Sequence, residues 1–139
     1  MAEPRALATL HRLRRFELRM AERELAGKRA AADASASRSA AADAALEAER
    51  EIPGARLADY TAWLESGLAQ RDSRAAALAA AEAAAETARQ AVTEAHAAED
   101  LTATLLAAHR AEALRDATRR AQIEQNEVAA RIARNSRNG

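Results

Sequence analysis

Between Pro4 and Glu51 the apolar positions recur at helical spacing. One seven-spaced series runs His11, Leu18, Leu25, Ala32, Ser39 and Leu46, and an interleaved one runs Leu7, Arg14, Ala21, Lys28, Ser35 and Ala42. Together they form the 4-3 seam of a coiled coil, small at its centre and carrying leucine toward its ends. Beyond the Pro53-Gly54 pair a further series runs Leu57, Leu64, Arg71, Leu78, Ala85, Val92, Glu99 and Leu106. Charged residues interrupt both seams. The alanine runs 75–77, 79–81 and 83–85 fit several helical phases equally well.

Punctuation sets the boundaries. Pro4 suits a first helical turn, where its missing N–H costs nothing. Pro53-Gly54 is the only such pair and signals a turn, and Pro53 biases Ile52 away from the helical region. The pattern predicts an all-α fold of two long helices forming an antiparallel coiled-coil hairpin, the second helix longer. The expected parts are helix 4–51, bend 52–55, helix 56–134 and a frayed tail 135–139, together one coiled-coil rod. At 1.5 Å per residue the helices measure roughly 70 and 115 Å. If the bend sits near 53, the first helix reaches only to about residue 102 of the second. Leu105, Leu106, Leu114, Ile123, Val128 and Ile132 then fall on an overhang without an intramolecular partner, which marks a partner-binding segment, a self-associating one or a fraying end.

Composition supports helix and excludes much else. Ala fills about a third of the 139 positions, Gly and Pro total only 4 and 2, and aromatic residues make up 2%. Too few turn residues remain for an all-β domain. No apolar run approaches the ~18 residues of a membrane span, and no apolar leader with a cleavage site is evident. Cysteine is absent, which removes disulfides and thiolate chemistry. A Leu is worth about 1.5–3 kcal/mol when buried and an Ala methyl about a third of that, so the small seam predicts a marginal rod that is firmer when bound.

Formal charge is zero overall but unevenly spread. Residues 1–30 carry net +4, residues 31–103 net −7 and residues 104–139 net +3. In a hairpin the terminal end is then basic and the bend end acidic, which suits docking to different proteins.

No catalytic constellation, phosphate loop or zinc motif occurs, so the expectation is a non-enzyme without cofactor or metal. His11 and His96 could face each other near Glu99, but a zinc site wants three or four ligands. The arginine runs Arg12, Arg14, Arg15, Arg19, Arg23 and Arg110, Arg115, Arg119, Arg120 are interleaved with acids. Apart from Phe16 they lack stacking aromatics, which argues against nucleic acid. Lipid coating wants bulky apolar faces, whereas these are mostly Ala. Tyr60, Trp63, Leu64 and Leu68 share one face just after the turn, either clamping the hairpin or forming a partner hot spot.

Three stretches carry a family resemblance. They are Ala6-Leu7-Ala8-Thr9-Leu10 with Leu13, Glu17 and Leu25; the bend followed by Leu57, Tyr60, Trp63, Leu64 and Leu68; and the charged closing helix from Leu114 to Ile132. The chain resembles the FliJ family, the flagellar export stalk proteins, and their injectisome relatives. The resemblance implies a hairpin similar to the central stalk of rotary ATP synthases. Such a stalk inserts into the hexameric ring of the export ATPase, links it to the cytoplasmic domain of the export gate, and helps hand over export chaperones. It implies a cytoplasmic location, peripheral at the inner membrane through these partners. Carried onto this chain, Leu7, Leu10, Leu13, Leu25, Leu114, Ile123, Val128 and Ile132 would face the ATPase ring. Tyr60, Trp63 and Leu64 would face the gate. The alternatives are a structural or oligomerising coiled coil, or an amphipathic helix protein on lipid surfaces.

Overall fold

The computed structural model describes residues 4–50 and 57–139. The fold is all-α, with two long helices packed against each other. Helix α1 is Pro4–Arg50 and helix α2 is Leu57–Arg137, of 47 and 81 residues. The expected bend at 52–55, including Ile52, Pro53 and Gly54, lies outside the described residues. Helix α2 runs three residues beyond its expected end at 134. Its last turn carries Arg134 and Arg137, cations that complement the negative end of the helix dipole.

Ala, Leu, Arg and Glu lose little on entering a helix, and the threonines settle their own hydroxyls. Thr9 donates to the Arg5 carbonyl at 2.9 Å, Thr87 to Ala83 at 3.1 Å and Thr118 to Leu114 at 2.9 Å. The chain divides into two compact units, Phe16–His96 and Met1–Arg15 with Ala97–Gly139.

In the unit Phe16–His96, Leu25 and Ser35 of α1 are buried, and Leu18, Ala21, Ala32, Ser39, Ala42 and Leu46 are half-buried. Lys28, counted in the seam by spacing, is exposed. On α2 the inward residues are Tyr60, Trp63, Gly67, Arg74, Leu78, Ala81, Ala84, Ala85, Ala88, Val92 and Ala95. The heptad series Gly67, Arg74, Ala81, Ala88 and Ala95 was not legible among so many alanines. Leu64 and Arg71, which the spacing placed in the seam, are exposed. The small residues let the helices approach closely. At Gly67 an added Cβ would stand 2.7 Å from Leu46 Cδ2, so the missing side chain is the seat of Leu46.

In the unit of Met1–Arg15 and Ala97–Gly139, Leu7 and Leu106 are buried, with His11, Arg14, Glu99 and His109 half-buried beside a buried Thr102. This corrects the expected overhang. His11 stands against Thr102 and Glu99 rather than His96, so the partners of α1 lie about six residues further along α2 than a fold-back at Pro53 gives. Leu106 is therefore covered by α1, and α2 becomes uncovered only from Arg110. The apolar core is thin. Among the described residues the buried apolar side chains are Leu7, Leu25, Ala88 and Leu106, and no side chain of the core falls below 2% exposure.

Candidate functional site

Near the start of α2, Tyr60 and Trp63 are one helical turn apart and their rings stack, tilted by 31° with centroids 5.6 Å apart. The Trp63 indole N–H donates to the Glu49 carboxylate across the helix pair. Arg71 reaches Asp43 at 3.9 Å, an exposed pair of little energetic weight. Leu46 rests over Gly67 in the same place. Apart from Glu49 these residues, with Glu47, Arg50, Leu64 and Leu68, line a shallow groove of about 340 Å³. Tyr60 and Trp63 are half-buried and Leu64 is 37% exposed. The indole thus both closes the helix pair and keeps a face for contact.

In the other unit a polar cluster interrupts the seam. Thr102 Oγ1 donates to the Glu99 carbonyl at 2.8 Å. His11 Nδ1 is hydrogen-bonded to Thr102 Oγ1 at 3.0 Å. The other ring nitrogen, Nε2, faces the Glu99 carboxylate at 3.8 Å. The His11 and Glu99 side chains are 17% and 20% exposed. A hydroxyl and an imidazole locked in this way fix the register of a small-residue seam, where methyl groups alone would permit sliding. Among the described residues no three His, Cys, Asp or Glu side chains gather as metal ligands.

The residues expected to face the ATPase ring fall into two groups. Leu7 and Leu25 are 9% exposed and serve the packing of the helix pair. Leu10, Leu13, Leu114, Ile123, Val128 and Ile132 are exposed by 38 to 69%. Leu101 and Leu105 are also exposed, on the α2 flank that matches Leu10 and Leu13 in an antiparallel pair, and spacing alone did not single out that flank. Phe16 and Met20, likewise missed, are half-exposed one turn apart on α1 of the other unit. From Arg110 to Gly139 every residue is exposed except the half-buried Asp116, whose carboxylate lies 3.8 Å from Arg119.

No helix among the described residues is long and apolar enough to cross a membrane. No family model matches the chain, and no curated protein or solved structure matches it either.

Proposed function

We propose that this chain is a non-enzymatic coupling protein of a flagellar or type III export apparatus, joining the export ATPase ring to the cytoplasmic domain of the export gate. One observation carries the proposal. Helix α2 continues for more than seven turns past its α1 partner, and that stretch exposes Leu114, Ile123, Val128 and Ile132. A free helix bearing apolar residues is a binding element, because water penalises each of them until a partner covers it. The family resemblance names the partner. The exposed leucines Leu10 and Leu13 and the α2 extension are the ATPase-facing parts, and Tyr60, Trp63 and Leu64 are the gate-facing part. Hand-over of export chaperones and a cytoplasmic, membrane-peripheral place belong to the same proposal. A merely oligomerising coiled coil is the competing function, and the same extension gives it support.

The test is titration of the full chain into the export ATPase from the same organism, reading hexamer formation and ATP turnover. The expected result is stimulation that Val128→Asp and Ile132→Asp abolish without loss of helicity. A chain that neither binds nor stimulates the ATPase refutes the proposal. For the gate contact, Trp63→Ala is expected to weaken binding to the gate's cytoplasmic domain more than it lowers the melting temperature. Unchanged gate affinity with a large loss of helicity would make Trp63 a purely structural clamp.

A further inference from the structure

One flank of the unit Met1–Arg15 with Ala97–Gly139 combines two features. The first is a groove of about 540 Å³ between the helices, floored by Ala8, Ala103 and Ala107 and edged by Arg12, Arg15 and Arg110. Among the described residues no acid lines this groove. None of the three guanidinium groups has an ion pair or side-chain hydrogen bond among the described residues, whereas His11 beside them is already held by Thr102 and Glu99. Three cations converging on an alanine floor, with no acidic partner among the described residues, favour anionic groups.

The second feature is the continuation of that flank along α2. At about 100° per residue, positions 103, 107, 110, 114, 121, 125, 128 and 132 fall within an arc of roughly 60°. They are Ala103, Ala107, Arg110, Leu114, Ala121, Gln125, Val128 and Ile132. The face runs straight for roughly 44 Å at 1.5 Å per residue. It is not the seam that meets α1. Continuing that seam from Thr102, Leu106 and His109 leads to Asp116, Arg120, Ile123 and Glu127, about 140° away and largely charged. Ile123 therefore belongs to a different face from Leu114, Val128 and Ile132.

We propose that this flank docks an acidic amphipathic helix of a partner protein. The partner's carboxylates meet Arg12, Arg15 and Arg110, and its apolar seam covers Leu114, Val128 and Ile132. A helix fits because alanines at the floor permit backbone approach, and because apolar residues at three-and-four spacing are the complement of another helix. Duplex nucleic acid is disfavoured, since it would want cations along the whole face and finds them at one end. A bilayer is disfavoured because the face holds no aromatic residue and few bulky ones. A second copy docking the same segment is disfavoured by charge. Residues 110–137 carry seven arginines against four acids, so two such segments repel.

The inference deepens the proposed function, since Leu114, Val128 and Ile132 appear in both, but its test is separate. Two synthetic four-heptad peptides share one Leu/Ile core and carry Glu or Lys at all flanking positions. Each is titrated against the full-length chain by fluorescence anisotropy, with sedimentation of the free chain in parallel. The Glu peptide is expected to bind at least tenfold more tightly than the Lys peptide. The triple variant Arg12→Gln, Arg15→Gln, Arg110→Gln should shrink that preference to less than threefold, and Val128→Asp should weaken both peptides about tenfold. Circular dichroism checks that both variants keep their helicity; should the triple variant lose it, Arg12→Lys with Arg110→Lys should retain the preference for Glu. Equal affinity for the two peptides, no binding of either, or a preference untouched by the triple variant overturns the proposal. So does displacement of the Glu peptide by a duplex oligonucleotide or by vesicles of phosphatidylglycerol, or a stable dimer that Val128→Asp dissociates. ATPase stimulation with no peptide selectivity would remove this inference and leave the export function standing. Peptide selectivity without an ATPase response would do the reverse.

Discussion

Two glycines in the same unit should respond differently to the same substitution. Gly27 and Gly67 are both interior to helices, where replacement by Ala is worth about 0.8–1 kcal/mol through backbone entropy. Around Gly27 nothing lies within 4 Å of an added Cβ, so Gly27→Ala should realise that full gain. At Gly67 the added carbon would meet Leu46 Cδ2 at 2.7 Å, and Leu46 must turn aside. Turning it aside, off its rotamer or partly away from the pair, costs about 0.5–1.5 kcal/mol. The propensity gain and the packing loss then nearly cancel, leaving Gly67→Ala close to neutral. In a Leu46→Ala background the obstacle is gone, and Gly67→Ala should stabilise by about 1 kcal/mol, as at Gly27. The double-mutant cycle thus carries a coupling of about 1 kcal/mol between positions 46 and 67. Urea denaturation followed by circular dichroism at 222 nm reads all five proteins on one scale. Equal stabilisation by Gly67→Ala in both backgrounds would show that the notch does not seat Leu46, and the account of close helix approach at this point would fail.

Two further outcomes follow from the other unit. Thr102→Val removes the hydrogen-bond partner of His11 Nδ1 in a largely covered position and should cost about 1–3 kcal/mol; adding His11→Leu should restore most of it, as urea midpoints of the three chains will show. A chain ending at Arg110 loses a helix that no intramolecular neighbour covers. Its helical signal should fall by about a fifth while the melting midpoint of the remainder moves by less than about 3 °C; a drop of 10 °C or more would mean that the segment stabilises the helix pair.

The helical fold and its two long elements were legible because composition, propensity and the single Pro-Gly pair all pointed the same way. The seam of α1 was legible too, since leucines at 7, 18, 25 and 46 fix its phase, and Lys28 is its one exposed member. The seam of α2 was only half legible. Between Leu68 and Val92 alanine occupies every phase, and a residue that suits both core and surface carries no phase information. The register was misjudged for a related reason. Chain reversal at Pro53 presumes equal arms, whereas the pairing is set by side chains such as His11 with Thr102 and Leu46 with Gly67. Glycine and threonine look like interruptions in a hydrophobic pattern, yet here one is a seat and the other a hydrogen-bond partner.

That register is also what gives the arginines meaning. Along the sequence Arg12 and Arg15 belong to one basic run and Arg110 to another, and interleaved acids make both resemble ordinary solvated helix surface. With His11 held against Thr102, the residues one step round from the seam, Arg12 and Arg15 on α1 and Ala103, Ala107 and Arg110 on α2, come to the same flank. Moving the pairing back by six residues would replace Arg110 on that flank by Thr104, and the concentration of charge would be lost. The polar cluster at His11 therefore does more than stabilise a thin core. It selects the one alignment in which a basic groove leads directly onto the apolar face of the free helix, and any change that lets the helices slip should weaken partner binding before it lowers helicity.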